Sequence, residues 1–215
     1  MSLTTTPASA RTDLGTTTAA TTDRRATVRL ARRAGIAVAT GSAAWAAGMA
    51  AFTNTPTAGT WQHYVYEVTA LTFQLGLVAL VTLQLRTGAT GTGKLARGFL
   101  HAEHVLLGLA IASTFTWMFL REYQETAWFL ALDAFWPLSM LGMAAIGVRI
   151  AIAGRWKGAA RFWPMVAESW APVTVPMSFL VPAFAQYIGA GHLLIGYVAL
   201  GIILATRPEL TGSRD

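Results

Sequence analysis

The chain has 215 residues, 54% of them hydrophobic and only 12% charged, with no cysteine and a net charge of +6. Soluble domains carry roughly 25% charged residues, so most of this chain belongs in lipid. The lack of cysteine excludes disulfides, zinc–thiolate and iron–sulfur sites and cysteine nucleophiles, and the positive charge does not indicate nucleic acid, because the basic residues flank apolar runs.

Residues 1–25, rich in Thr, Ala and Ser, read as a disordered tail. They do not read as a signal peptide, since no apolar core follows within the first 30 residues. Residues 26–34 complete a basic collar formed by Arg24, Arg25, Arg29, Arg32 and Arg33. The collar suits a short amphipathic helix on an anionic membrane surface.

The membrane domain is expected over residues 35–206, in six crossings. The first, Gly35–Phe52, is packed with small residues, among which Ser42 and Ala46 fit a small-xxx-small contact face. An uncharged loop, Thr53–Gln62, leads to Trp61 and Tyr64, which suit interfacial anchors. The second crossing, Val65–Leu85, carries Glu67 and Gln74 on one face, with His63 one turn earlier. The third, Phe99–Leu120, opens with His101, Glu103 and His104.

The fourth, Thr126–Val148, is the most informative. It carries Asp133 with Pro137 four residues later. An ionised Asp near the middle of a lipid-facing helix costs about 2.5–3.5 kcal/mol, so Asp133 must face other helices or water, either paired or protonated. Pro137 has no N–H, so the Asp133 carbonyl loses its helical partner. Carboxylate and free carbonyl then sit at one depth.

A basic segment, Arg149–Arg161, precedes FWPMVAESWAPVT, which reads as an interfacial helix with Phe162, Trp163 and Trp170 around Glu168. The fifth crossing is expected over Val173–Tyr187, a turn at Gly189–Gly191, and a short sixth crossing over His192–Thr206, followed by a tail, residues 207–215. One side of the membrane then receives fifteen of the sixteen Lys and Arg residues, and only Arg121 falls on the other. The positive-inside rule puts both termini in the cytoplasm of a multi-pass plasma-membrane protein. The predicted fold class is therefore an all-α, six-helix membrane bundle.

This topology puts His63, Glu67, Asp133, Gln186, Tyr187 and His192 toward the outer leaflet, and His101, Glu103, His104 and Glu168 toward the inner side. A shared outer cavity accounts for the first set together. Glu67 and Asp133 are the candidate acid–base pair, since one of two carboxylates in a poorly solvated site tends to hold a proton. His63, Gln74, Trp136, Gln186, Tyr187 and His192 are candidate ligand-binding residues. Trp128, Phe129, Phe135, Trp136 and Met140 can line such a cavity and stabilise a cation.

The expected function is binding of, or acid–base chemistry on, a small apolar or lipid-like ligand, such as an isoprenoid. Enzyme and binding protein are equally compatible with these residues. The alternatives are a proton- or cation-coupled small transporter, a non-catalytic assembly partner, and a haem protein using His63 and His192. No cofactor and no metal is assigned, although His101 and His104, three apart, are the residues a metal would use. Lipids are the expected partners, and the small size of the bundle suggests a homo-oligomer. Phosphate-binding GK[ST], nucleophile-elbow GxSxG and DDxxD patterns are absent.

Overall fold

The computed structural model describes residues 10–52 and 56–212, with side chains described from Asp23 onward. Residues 1–9 of the Thr/Ala-rich tail lie outside the described residues. Nine α-helices account for most of the described chain, and no strand occurs among the described residues. They are α1 (Ala10–Ala51), α2 (Trp61–Thr87), α3 (Lys94–Phe119), α4 (Ala127–Asp133), α5 (Phe135–Ala153), α6 (Gly158–Glu168), α7 (Trp170–Leu180), α8 (Ala185–Leu193) and α9 (Ala199–Thr206). A π-helical turn, Leu194–Val198, joins α8 to α9 without a break.

Five of the helical runs are long and apolar enough to cross a membrane: Asp23–Ala51, Trp61–Thr87, Lys94–Phe119, Ala127–Ala153 and Ala185–Thr206. Large apolar side chains crowd the outer surface of these runs, among them Phe99, Val105, Phe115, Leu138, Ile152, Ile195 and Ile202. A soluble monomer rarely exposes so much contiguous apolar area, and lipid is its natural cover.

Two of the helical interruptions have the same cause. Pro137 withholds a hydrogen bond from the Asp133 carbonyl, and α4 ends at Asp133. Pro172 withholds one from the Glu168 carbonyl, and α6 ends at Glu168. Each carboxylate therefore closes a helical segment, four residues ahead of its proline.

Several expectations need correction. Gly189 and Gly191 lie inside α8, and the chain turns instead at Val181–Phe184, where Pro182 breaks the helix. The last crossing is consequently a full run, Ala185–Thr206, rather than a short one beginning at His192. The segment expected to lie at the interface is α6 leading into α7, and Glu168 is buried between helices rather than exposed at a surface. The collar is continuous with α1, because nothing between Arg24 and Gly41 stops the helix.

The runs form a closed ring in chain order. α1 packs on α2, α2 on α3, α3 on α4 and α5, α5 on α6 and α7, and α6 and α7 on the α8–α9 run, which returns to α1. The closing contact is backbone to backbone. A Cβ on either Gly35 or Gly201 would lie 2.5 Å from the other's carbonyl oxygen, so only glycine allows the approach. Aromatic rings fill the middle. Trp45, Trp136 and Trp170 meet with centroids 5.3–5.5 Å apart, Phe73 stacks on Trp45 at 4.8 Å, and Tyr197 meets Phe73 edge-on at 5.2 Å.

Candidate functional site

α2 organises the polar interior. His63, Glu67, Gln74 and Gln84 are all buried on its inward stripe, which at about 1.5 Å per residue runs close to 30 Å from first to last. Gln74 and Gln84 hydrogen-bond to other helices, and the polar groups fall in two layers.

One layer, on the side that the sequence topology predicts to be outer, lies between α2, α3 and α4. Asp133 Oδ1 accepts from Ser113 Oγ at 3.0 Å and from Trp117 Nε1 at 2.7 Å. Gln74 Oε1 accepts from Thr114 Oγ1 at 3.0 Å, and Gln74 Nε2 reaches the Ala110 carbonyl at 3.4 Å. Ser113 and Trp117 lie one turn apart on α3, so one helix face presents both donors to the end of α4. Glu67 lies within electrostatic range of Asp133 and of Arg121. Arg121 is itself held by the Pro56 carbonyl at 2.9 Å and by the Trp117 ring at 5.4 Å.

Above this layer a cleft of about 430 Å³ opens between the start of α2 and the end of α3, lined by His63, Tyr64, Phe119, Arg121 and Gln124 among others. His63 is 1% exposed, and neither ring nitrogen has a hydrogen-bond partner among the described residues. Buried polar atoms are nearly always satisfied, so this ring stands ready for a ligand or a water in the cleft.

The inner layer brings together Glu103 and Glu168, two of the four residues that the sequence places on the inner side, without His101. Glu103 and Glu168 are each 1% exposed. Ser139 Oγ donates to Glu103 Oε1 at 2.6 Å, and Gln84 Nε2 donates to Glu168 Oε1 at 2.6 Å. Glu168 Oε2, Gln84 Oε1 and the Tyr197 hydroxyl have no partner among the described residues. Both carboxyls lie within electrostatic range of that hydroxyl and of each other. Two glycines of α5 make the room. A Cβ on Gly142 would collide with the Glu103 carboxylate, and one on Gly147 would lie 2.9 Å from Glu168 Oε2. A signal for Glu168 exists in the sequence. ESWAP at Glu168–Pro172 repeats the acid-to-proline spacing of DAFWP at Asp133–Pro137.

Between the layers α2 and its neighbours are apolar. Leu77, Leu80 and Val81 from α2, Leu107 from α3 and Met140 and Met143 from α5 are all buried in the core.

The remaining sequence candidates lie elsewhere. Trp136 joins the central tryptophan cluster with Trp45 and Trp170. Gln186, Tyr187 and His192 are on α8, which packs against α1 and α7. Tyr187 is exposed, and His192 Nε2 lies 3.3 Å from Ser169 Oγ at the α6–α7 interruption. His63 and His192 are thus not brought together. Of the pair proposed for a metal, His101 is exposed, while His104 Nδ1 donates to the Leu100 carbonyl at 2.8 Å and its Nε2 lies 3.1 Å from Thr82 Oγ1. No group of three or more His, Asp or Glu positioned for a metal occurs among the described residues. No family model matches the chain, and neither a curated protein nor a solved structure shows significant similarity to it.

Proposed function

We propose that this chain is a six-crossing plasma-membrane protein with both termini in the cytoplasm, and that it couples proton movement to the passage of a small ligand. The crossing added to the five long runs is α6 with α7, fifth in chain order and divided at Ser169. The basic residues then lie on the cytoplasmic side, as the positive-inside rule requires.

One observation carries the functional reading: the buried stripe of α2 bears polar groups at both ends, and each end meets carboxylates from other helices. Intramembrane acids are costly and mark ion or proton pathways by default. In the outer layer, Ser113 and Trp117 donate to Asp133, and Arg121 lies within electrostatic range of Glu67. The inner layer has two carboxyls, an amide and a phenol with acceptor atoms to spare and, among the described residues, no Lys or Arg in hydrogen-bond contact. Such a set exchanges a proton more readily than it holds a permanent ion pair. The apolar layer between them serves as the barrier that keeps the two sides from communicating at once. The cleft at His63 is the entry for the ligand.

Acid–base chemistry at the outer cleft, without transport, is the second reading. His63 favours it, since its unpartnered ring sits one turn from Glu67. The aromatic cavity envisaged for an isoprenoid has less support, because Trp136 belongs to the central cluster.

Proteoliposomes carrying a lumenal pH dye distinguish the two. Wild-type protein is expected to pass protons faster than protein-free vesicles under an imposed potential. Glu67→Gln and Glu168→Gln are each expected to reduce that flux at least about tenfold, within the range general acid–base groups contribute. Vesicles with wild-type protein that behave like empty ones sink the transport reading.

A further inference from the structure

We propose that the loop between α2 and α3, together with Arg149 of α5, binds the phosphate of an anionic phospholipid. A cavity of about 500 Å³ lies there, lined by Thr90, Gly91, Thr92 and Gly93 from the loop, Leu95, Ala96 and Phe99 from α3, and Ala145, Ile146 and Arg149 from α5. Thr90 is 2% exposed, yet its Oγ1 has no hydrogen-bond partner among the described residues. A buried hydroxyl in that state needs an acceptor or donor from whatever fills the space.

The other groups at the mouth are suited to an anion. Gly93 caps α3 without a side-chain bond, which leaves the first amides of α3 without a side-chain acceptor. Arg149 is exposed at the opposite wall and matches a phosphate bidentately. Gly91 holds φ +121°, a conformation that only glycine adopts readily, so the loop geometry is fixed by sequence.

The rest of the wall argues for a lipid rather than free phosphate. Leu95 and Phe99 are strongly exposed and continue into the apolar outer surface of α3, so acyl chains can follow the head group down the same face. The site lies among Arg86, Lys94, Arg97 and Arg149, at the level where anionic head groups gather. The inference rests on the proposed topology only for which leaflet supplies the lipid. Thr90 and Arg149 take no part in the carboxylate layers, so its failure leaves the transport reading untouched.

Native mass spectrometry of the full chain in detergent tests it, after equilibration with phosphatidylglycerol, phosphatidylcholine or inorganic phosphate. Phosphatidylglycerol is expected to be retained and phosphatidylcholine lost. Arg149→Gln, at an exposed position that leaves folding alone, should lower phosphatidylglycerol occupancy about tenfold, as should Thr90→Val. Lys157→Gln, a basic residue outside the cavity, should leave it unchanged. Equal retention of the two lipids, or undiminished retention in Arg149→Gln, overturns the proposal. So does displacement of the lipid by inorganic phosphate, which would assign the site to the free anion.

Discussion

Gln84 and Glu168 are 84 positions apart in the chain and joined by a 2.6 Å hydrogen bond, the amide of α2 donating to the last residue of α6. Neither side chain is exposed beyond 1%. This bond ties α2 to the interrupted α6–α7 run across the ring. Gln84→Leu removes the donor and leaves the carboxyl with no partner at either oxygen. The cost of an unsatisfied buried group is about 1–3 kcal/mol. Denaturant titration of purified protein in detergent should show it as a lowered midpoint. Glu168→Gln, which keeps both shape and hydrogen-bonding capacity, should cost less.

The glycine notches give a sharper test of whether the inner carboxyls must sit where they do. Gly142→Ala places a methyl against the Glu103 carboxylate, and Gly147→Ala places one against the Pro164 carbonyl, 2.8 Å away, as well as against the Glu168 carboxylate. Overpacking of this kind costs about 1–3 kcal/mol. Gly108→Ala, on an exposed face of α3 with nothing near its Cβ, should be neutral or should stabilise by up to about 1 kcal/mol. Equal tolerance of all three substitutions would show that the α5 notches are not required.

Asp133 depends on Trp117 for its shortest bond, 2.7 Å. Trp117→Phe keeps the contact with Phe129 but deletes the indole donor. It should destabilise by roughly 0.5–1.5 kcal/mol, the net worth of a typical intramolecular hydrogen bond. Proton flux should fall as well, while Trp128→Phe, at an exposed ring nearby, should leave flux unchanged. Intrinsic fluorescence and flux measured on the same preparations separate the two effects.

Arg121 bridges the outer loop and the third crossing through Pro56 and the Trp117 ring. Arg121→Ala removes that tether and the positive charge beside Glu67. Protease nicking between Pro56 and Gly59 should accelerate severalfold, and Arg121→Lys should rescue it only in part, because an ammonium lacks the planar fork. Nicking at the wild-type rate in Arg121→Ala would show that the tether does not hold the loop.

How much of this was legible beforehand depends on the kind of signal. The apolar runs announce themselves through composition, so the all-helical fold with its long apolar runs and the C-terminal ends of α2 and α3 follow from the sequence alone, while both helices begin earlier, at Trp61 and Lys94, than the expected crossings at Val65 and Phe99. The break at Asp133 was also legible, because a proline acts on the residue four before it whatever the tertiary context. The same logic applied to Pro172 would have located the end of α6. Aromatics around Glu168 obscured it, since Phe162, Trp163 and Trp170 look like an interfacial belt until packing turns Trp170 inward against Trp45 and Trp136. The misplaced turn has a related origin. Gly189 and Gly191 punctuate soluble chains, but in a packed membrane helix Gly189 is the close-contact residue, set against Met49 and Trp170. Partnering across the ring was not legible at all. Nothing local to Gln74, Ser113 or Gln84 says which helix faces it.

The contact of Gly35 with Gly201 bears on biogenesis. The Gly35 side of α1 must wait for the α8–α9 run before it is covered, because that run follows the other four long runs in the chain. Until then the nascent bundle is a horseshoe, and the side of α6 next to Glu168, where Gly196 packs on Ala167, lies open. A protein clipped before Ala185 would keep that gap permanently, and quality-control proteases that survey membrane proteins for exposed polar groups would meet it first.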